Sequence, residues 1–402
     1  MADNIEKRIL IREFNEDRDI EVVGKLERNC EIGSNKKGVS IFTYMIGDHD
    51  PLCRIRFYSL HVMLVAELLE NGELVGVVRG CIRDVGTGFR EAQLKMGCIL
   101  GLRVSPTHRR MGIGLKLVNS VEEWLLKNGA EYTFFATEKN NTASINLFTL
   151  KCNYVNLSSL VIFAQPICFP SQNLPQDIKI EKLHIDHAIS LYKKRLSSDK
   201  EIYPADIEAI LKGKLSLGTW VCYFKKEGWV DFHSKEKNED ITKISSSWMM
   251  FSIWNTCEAY KLQIRKSHPL RSFHATLSQA REKISLCLKR PNSDDDDTFP
   301  KSIGFLFLYG LIGEGEKVGE LMKSVWSFAS KLCQNVKDCK VIVTELGVTD
   351  PLIKHVPQES SMSCINDLWY TKKMIFHDDD DMMGLMLAKG TLGNVFVDPR
   401  DF

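Results

Sequence analysis

An order of sequence patterns occurs twice along the chain: strand, helix, paired strands, strand, long helix, strand, shorter element, strand. Recurrence of a whole order marks a tandem unit, because each copy folds by the same rules to bury its own apolar faces. In the first copy Ile9 to Phe14 alternates apolar and polar residues, as a half-buried strand does. Asp17 or Asp19 then heads a helix carrying Val22, Val23 and Leu26. Val62 to Leu69 and Leu74 to Asp84 read as strands joined by Asn71-Gly72, a hairpin signal. Lys95 to Val104 is a further apolar run, closed by Ser105-Pro106. Ile113, Leu117, Val121, Trp124 and Leu125 form a helical stripe that ends at Asn128-Gly129. Tyr132 to Thr137, Ala143 to Lys151 and Leu157 to Ala164 follow as strand, helix and strand. Pro166, Pro170 and Pro175 mark the boundary.

The second copy begins with a strand at Ile178 to Leu183 and a helix from Asp186 to Leu196. Strands at Thr219 to Phe224 and Ser246 to Trp254 flank a charged excursion, Lys225 to Lys243. Thr276 to Lys289 reads as helix, Ile303 to Tyr309 as strand, Val318 to Leu332 as the long helix and Lys340 to Glu345 as strand. The chain is then irregular from Leu352 until a last strand at Leu368 to Ile375. The expectation is an α/β fold with a mixed sheet, divided into units at 1–172 and 173–402. A length of 402 residues accommodates two or three domains.

Composition narrows the function classes. A net charge of +1 carries no basic footprint, which argues against a sequence reader of DNA. No run approaches the ~20 apolar residues of a membrane span. The first eight residues lack the apolar core of a signal peptide, so the nucleus or cytoplasm is the expected compartment. The 12 cysteines include no CxxC pair, and no metal is expected. Acidic runs at Asp294 to Asp297 and Asp378 to Asp381 read as solvated loops, or as an attraction for a basic substrate.

Chemistry concentrates in Leu102-Arg103-Val104-Ser105-Pro106-Thr107-His108-Arg109-Arg110-Met111-Gly112-Ile113-Gly114. A strand ends at Val104 and a helix begins near Gly112. The start of a helix offers unpaired N–H groups and the positive end of its dipole. Gly112 and Gly114 remove side chains that would keep a diphosphate from that backbone, while Arg109 and Arg110 add charge. The dinucleotide fingerprint GxGxxG fails at Leu117, and the Walker A pattern fails as well.

The segment resembles the GNAT acetyltransferases, whose (Gln/Arg)-x-x-Gly-x-(Gly/Ala) signature is matched by Arg109 to Gly114. The preceding Leu102-x-Val104-x-Pro106 strand end matches too, as do Asn141-Thr142-Ala143-Ser144 and the Leu147-Phe148 to Tyr154 run. This likeness spans residues ~9–170 and implies acetyl-CoA as co-substrate of an N-acetyltransferase acting on a protein or small-molecule amine. It implies that the strands Lys95 to Val104 and Tyr132 to Thr137 splay apart and that pantetheine lies between them, bonded near Leu102, Arg103 and Val104. The pyrophosphate would rest on the amides of Arg109, Arg110, Met111, Gly112, Ile113 and Gly114, with Asn141 and Phe148 beside the pantetheine arm. Asn141 also reads as a helix N-cap.

Two departures from the family pattern stand out. No carboxylate occurs near Gly97 and Cys98, where the family's base is expected, and Phe148 takes the place of a proton-donating Tyr. Tyr154 belongs to the following turn or strand and is no simple substitute. Glu138 is the remaining candidate base, with Glu91 and His108 weaker. The alternative is a catalytically inactive relative that binds CoA or a protein partner. In the second unit Gly313 and Gly315 keep a GxG, but no Arg precedes it and Glu314 and Glu316 flank it, so that cofactor site reads as degenerate. Trp220-Val221, Ser247-Trp248, Phe307 to Leu311, Lys340 to Glu345 and Asp367-Leu368-Trp369 are similar to the plant hookless-type N-acetyltransferases over nearly the whole chain. That resemblance implies a part in hormone-controlled differential growth.

Overall fold

Local chemistry sets the elements where the side chains demand them. The computed structural model describes residues 8–30, 39–45, 50–167, 174–229, 247–266, 303–358, 362–375 and 390–401. The helix expected at Thr276 to Lys289, both acidic runs and the side chain of Glu91 lie outside the described residues. The first half runs β1 (Ile9–Glu13), α1 (Glu16–Asn29), β2 (Val39–Met45), β3 (Leu60–Leu68), β4 (Leu74–Thr87) and β5 (Arg90–Val104). Then come α2 (Ile113–Lys127), β6 (Tyr132–Glu138), α3 (Thr142–Asn146) and β7 (Val155–Pro166). The second half opens with β8 (Ile178–Lys182), α4 (Ile185–Asp199), β9 (Ile202–Pro204), α5 (Ile207–Leu211) and β10 (Ser216–Phe224). It continues with β11 (Trp248–Asn255), β12 (Tyr260–Lys266), β13 (Gly304–Glu314), α6 (Val318–Gln334), β14 (Cys339–Gly347) and β15 (Ser363–Lys373).

The α1 cap differs from the expectation. Asn15 accepts from the Asp17 amide at 3.0 Å, while Asp19 is buried against Arg12 at 2.6 Å. Asn15 already has the extended backbone a cap requires, which frees Asp19 for the ion pair. The β3–β4 hairpin turns at Gly72, whose φ of 71° suits glycine.

Twelve strands follow one another in a single sheet, in the order β1-β3-β4-β5-β6-β15-β7-β14-β13-β11-β10-β8. The two halves interlock at its centre. β15 of the second half lies between β6 and β7, and β7 lies between β15 and β14. Two parallel pairs, β5/β6 and β13/β14, flank that exchange. The tandem arrangement is therefore one continuous mixed sheet with two related openings.

Alternation along the strands separates the two faces. Ile99 and Phe135 pack with Ile113, Leu117, Val121 and Leu125 of α2. Leu306, Leu308 and Ile342 pack with Leu321 and Val325 of α6. Cys98, Phe134, Phe307 and Val343 belong to a core on the other face that both halves share with Leu392, Val395 and Phe396. No described helix is long and apolar enough to cross a membrane.

Candidate active site

β5 and β6 pair only through Met96↔Tyr132, Gly97↔Thr133 and Cys98↔Phe134. Beyond Cys98 the strands part, while β5 stays bonded to β4 on its other side as far as Val104. The register slips between Arg79↔Leu100 and Val77↔Arg103, and Gly101 takes a φ of 58° in that bulge. The expected splay is present. Leu100 to Val104 are half-buried although they belong to a central strand, because one edge of β5 is open.

Past the short turn Pro106–His108, Arg110 and Gly112 both adopt positive φ, 66° and 77°. The chain thereby turns back so that α2 starts beside the end of β5. Gly112 is the N-cap and supplies no side chain to the amides that follow it. Those orphan donors face outward from an exposed glycine, which makes a ready anion site. A Cβ on Gly114 would meet Leu147 at 3.4 Å, so the first turn lies close against the helical segment after α3. Arg109 and Arg110 are exposed, Met111 is half-buried and Ile113 is buried in the α2 core. Arg109 Nε points back toward the Val104 carbonyl at 3.4 Å, and Arg103 donates to the Leu102 carbonyl at 3.0 Å.

The remaining site residues divide. Asn141 caps α3, accepting from the Ser144 amide at 3.3 Å and donating to Thr137 at 3.0 Å. Phe148 corrects the expectation that it borders the pantetheine arm. Its ring is 2% exposed and stacks on Phe135 at 3.7 Å, so it supports the wall from behind. Tyr154 does not replace the missing Tyr, since it is buried and accepts from the Thr133 hydroxyl at 2.8 Å. Burial pushes its hydroxyl well above the usual tyrosine range. Glu138 ends β6, half-buried and opposite Asp367 of β15. Burial, with the Glu138 charge adding to it, pushes the Asp367 carboxyl up to about 7. His108 is half-exposed and contacts Thr107 at 3.0 Å.

The comparisons with known proteins agree with this geometry. Residues 40–154 match the Acetyltransferase (GNAT) family. "Probable N-acetyltransferase HLS1-like" of Arabidopsis thaliana is 35% identical over 98% of this chain and 98% of its own length. The chain belongs to the GNAT N-acetyltransferases. Within the family, "Acetyl transferase GW6a" of Oryza sativa subsp. japonica is 28% identical over 98% of this chain and 97% of its own. A solved structure of Saccharomyces cerevisiae N-myristoyltransferase with bound myristoyl-CoA shares the fold, with a TM-score of 0.54 at 13% identity. That match covers 91% of this chain and 79% of the other.

The sequence reading of this N-acetyltransferase missed the charged side chains on the sheet face away from α2. Arg79 and Arg83 rise from β4; Glu27 of α1 reaches Arg79, and Asp398 and Asp401 reach Arg83 from the far end of the chain. No local pattern announces them, because each partner is tens or hundreds of residues away. Cys81, Cys98 and Asp401 have ligand atoms within 4.8 Å of one another, a spacing that could hold a metal ion. Arg83 ion-pairs with Asp401 there, and a cation would have to compete with that guanidinium.

Proposed function

We propose that the chain transfers an acetyl group from acetyl-CoA directly to an amine of a protein or small molecule. The observation that carries the reading is the uncapped, glycine-headed start of α2 beside an opening in the sheet between β5 and β6. Pantetheine fits such an opening as an additional strand bonded to the free edge of β5. The diphosphate fits the amides from Arg109 to Gly114, with Arg109 and Arg110 exposed beside it. Direct transfer needs the thioester and amine held in attack geometry, and such positioning alone lowers a barrier by ~7–11 kcal/mol. We place the reaction in the nucleus or cytoplasm and, from the resemblance to the hookless-type N-acetyltransferases, in hormone-controlled differential growth. The division into units at 1–172 and 173–402 belongs to the same reading, with donor binding assigned to the first.

Titration calorimetry with acetyl-CoA tests the site. Wild-type protein is expected to bind, and the double variant Arg109→Glu/Gly112→Glu to lose at least ~100-fold in affinity with its fold intact by circular dichroism. Unaltered binding in that variant would refute the placement.

A further inference from the structure

Transfer of an acetyl group to an amine releases a proton, and β5 carries no carboxylate at Gly97 or Cys98 to receive it. Three buried carboxyl oxygens lack a hydrogen-bond partner among the described residues: Oε2 of Glu27, Oε1 of Glu122 and Oε1 of Glu345. A buried acceptor left vacant costs about 1–3 kcal/mol, so each invites an explanation. Glu122 lies on α2, its other oxygen bonded to Lys372 at 2.6 Å. Glu345 lies on β14, across the sheet at the second opening. Glu27 alone of the three stands beside the free length of β5.

Two short contacts place it there. The Arg79 guanidinium lies directly against the β5 bulge, where a Cβ on Gly101 would come within 2.6 Å of its Nη1. Its Nη2 in turn meets Glu27 Oε1 at 2.7 Å, with both side chains almost wholly buried. Arg79 is itself fixed, since its Nε donates to the Pro51 carbonyl at 2.8 Å. The helix that carries Glu27 is tied to the same strand, because the Cys30 thiol at its end points to the Val104 carbonyl at 3.6 Å. One oxygen is thus ion-paired and the other is buried with no hydrogen-bond partner among the described residues, on the sheet face opposite α2. The charged and titratable groups around it are Arg79 from β4, Arg103 from β5, Cys30 at the end of α1 and Cys53 from the following turn. Asp401 offers no such vacancy, as Tyr58 and Arg83 occupy its two oxygens.

We infer that Glu27, held by Arg79 behind the Gly101 bulge, is the base that receives the proton of the acceptor amine. The assignment rests on the proposed acetyl transfer. In the step, Glu27 Oε2 takes one proton from the ammonium, the freed nitrogen lone pair forms a bond to the thioester carbonyl carbon, and the second proton lost from that nitrogen passes to solvent. The C–S bond breaks with its electron pair on sulfur, and the coenzyme thiolate departs to be protonated by the carboxyl or by solvent. Arg79 acts as a positioning residue, ion-paired to the first oxygen so that the second is left without a partner.

The test is release of coenzyme-A thiol from acetyl-CoA by the full chain, with alkyl amines (lysine peptides, peptide N-termini, polyamines) and with hydroxylamine as acceptors. Hydroxylamine is uncharged at neutral pH and makes little demand on a base. Glu27→Gln is expected to lower kcat/KM for alkyl amines by about 100-fold or more at neutral pH, the loss shrinking as pH rises. Transfer to hydroxylamine is expected to fall by less than about 5-fold, with acetyl-CoA affinity unchanged in calorimetry. Glu27→Asp keeps a carboxylate and should retain intermediate activity, which guards against a variant that merely folds poorly. Unchanged alkyl-amine rates and pH profile in Glu27→Gln would overturn the assignment, as would an equal loss with both acceptor types. Donor binding by the parent chain without transfer to any alkyl amine would also remove the assignment, leaving the donor site standing. No donor binding at all would remove both.

Discussion

The two openings of the sheet share a plan and differ in what fills them. In each, a parallel pair parts after a few residues: at Cys98/Phe134 in the first and at Phe307/Val343 in the second. Each has a left-handed glycine on its leading strand, Gly101 with φ 58° and Gly310 with φ 62°. In the second, β13 continues through Glu314, so Gly313 is a paired strand residue rather than part of a turn. The Ser247 hydroxyl accepts from the Lys317 amide at 3.1 Å just before α6, a bond that Gly112 gives no counterpart to at α2. A Cβ on Gly315 would strike Ser247 at 2.5 Å. Thr344 bridges the second opening to the Leu308 carbonyl at 2.6 Å, and Val395, Phe396 and Val397 close around it, leaving a small cavity. The degenerate GxG is thus matched by a site satisfied with the protein's own groups. A helix start binds phosphate only while nothing in the chain has claimed its amides.

Removing the filling is the strongest way to break this comparison. Phe396 is 3% exposed and meets Tyr192 and Tyr309 edge-on. Phe396→Ala is expected to cost about 3–5 kcal/mol in urea unfolding, with acetyl-CoA affinity at the first site unchanged. Affinity that fell with stability would show that the two openings are coupled.

The paired glycines sharpen the contrast. Alanine at Gly310 would meet the Tyr192 hydroxyl at 2.4 Å, and that ring is fully buried with its hydroxyl bonded to the Gly310 carbonyl and close to Ser252. Alanine at Gly101 would instead meet the end of the longer Arg79 side chain at 2.6 Å. Gly310→Ala is therefore expected to cost roughly 1–3 kcal/mol of stability and leave donor binding intact. Gly101→Ala should cost less stability, yet slow acetyl transfer by displacing Arg79. Equal stability losses would mean that Arg79 is as immobile as Tyr192.

The junction between the openings has its own signature in pH. Burial is the main reason the Asp367 carboxyl is raised to about 7, while in the unfolded chain it titrates near its ordinary value. Between those values the folded state holds the extra proton, so this group makes the fold less stable as pH rises. Asp367→Asn removes that penalty. Its stability relative to the parent should increase from about pH 4 to about pH 7 and then level off, as read by thermal unfolding at each pH. A constant difference would mean that Asp367 ionises normally in the fold.

How much of this could be read from the residues follows from distance along the chain. The strand, turn and helix from Leu102 to Gly114 are contiguous, so periodicity, glycines and arginines announced the donor site directly. The recurrence of element order announced the tandem plan. The exchange of β7 and β15 was not visible, because period-2 alternation states which face is buried but not which strand lies alongside. Glu27 reads as an ordinary helix residue, and Asp401 as a residue far from any motif. Their surroundings exist only once β4, α1 and the 390–401 segment meet. Phe148 was misplaced for a related reason: its spacing fits a site wall, while the π turn Leu147–Lys151 swings it inward onto Phe135.

The smallest expected effect isolates the capping difference itself. Ser247→Ala deletes the acceptor that satisfies the Lys317 amide and should cost about 1 kcal/mol, the usual net worth of a hydrogen bond. The variant would expose an amide at the start of α6 but supply no arginine, and Glu314 and Glu316 would still repel an anion. Calorimetry on Ser247→Ala should therefore find the same acetyl-CoA stoichiometry as the parent, one site per chain. A second equivalent would mean that a free helix start is sufficient without the flanking charge, and that the arginines at 109 and 110 matter less than the glycine that heads α2.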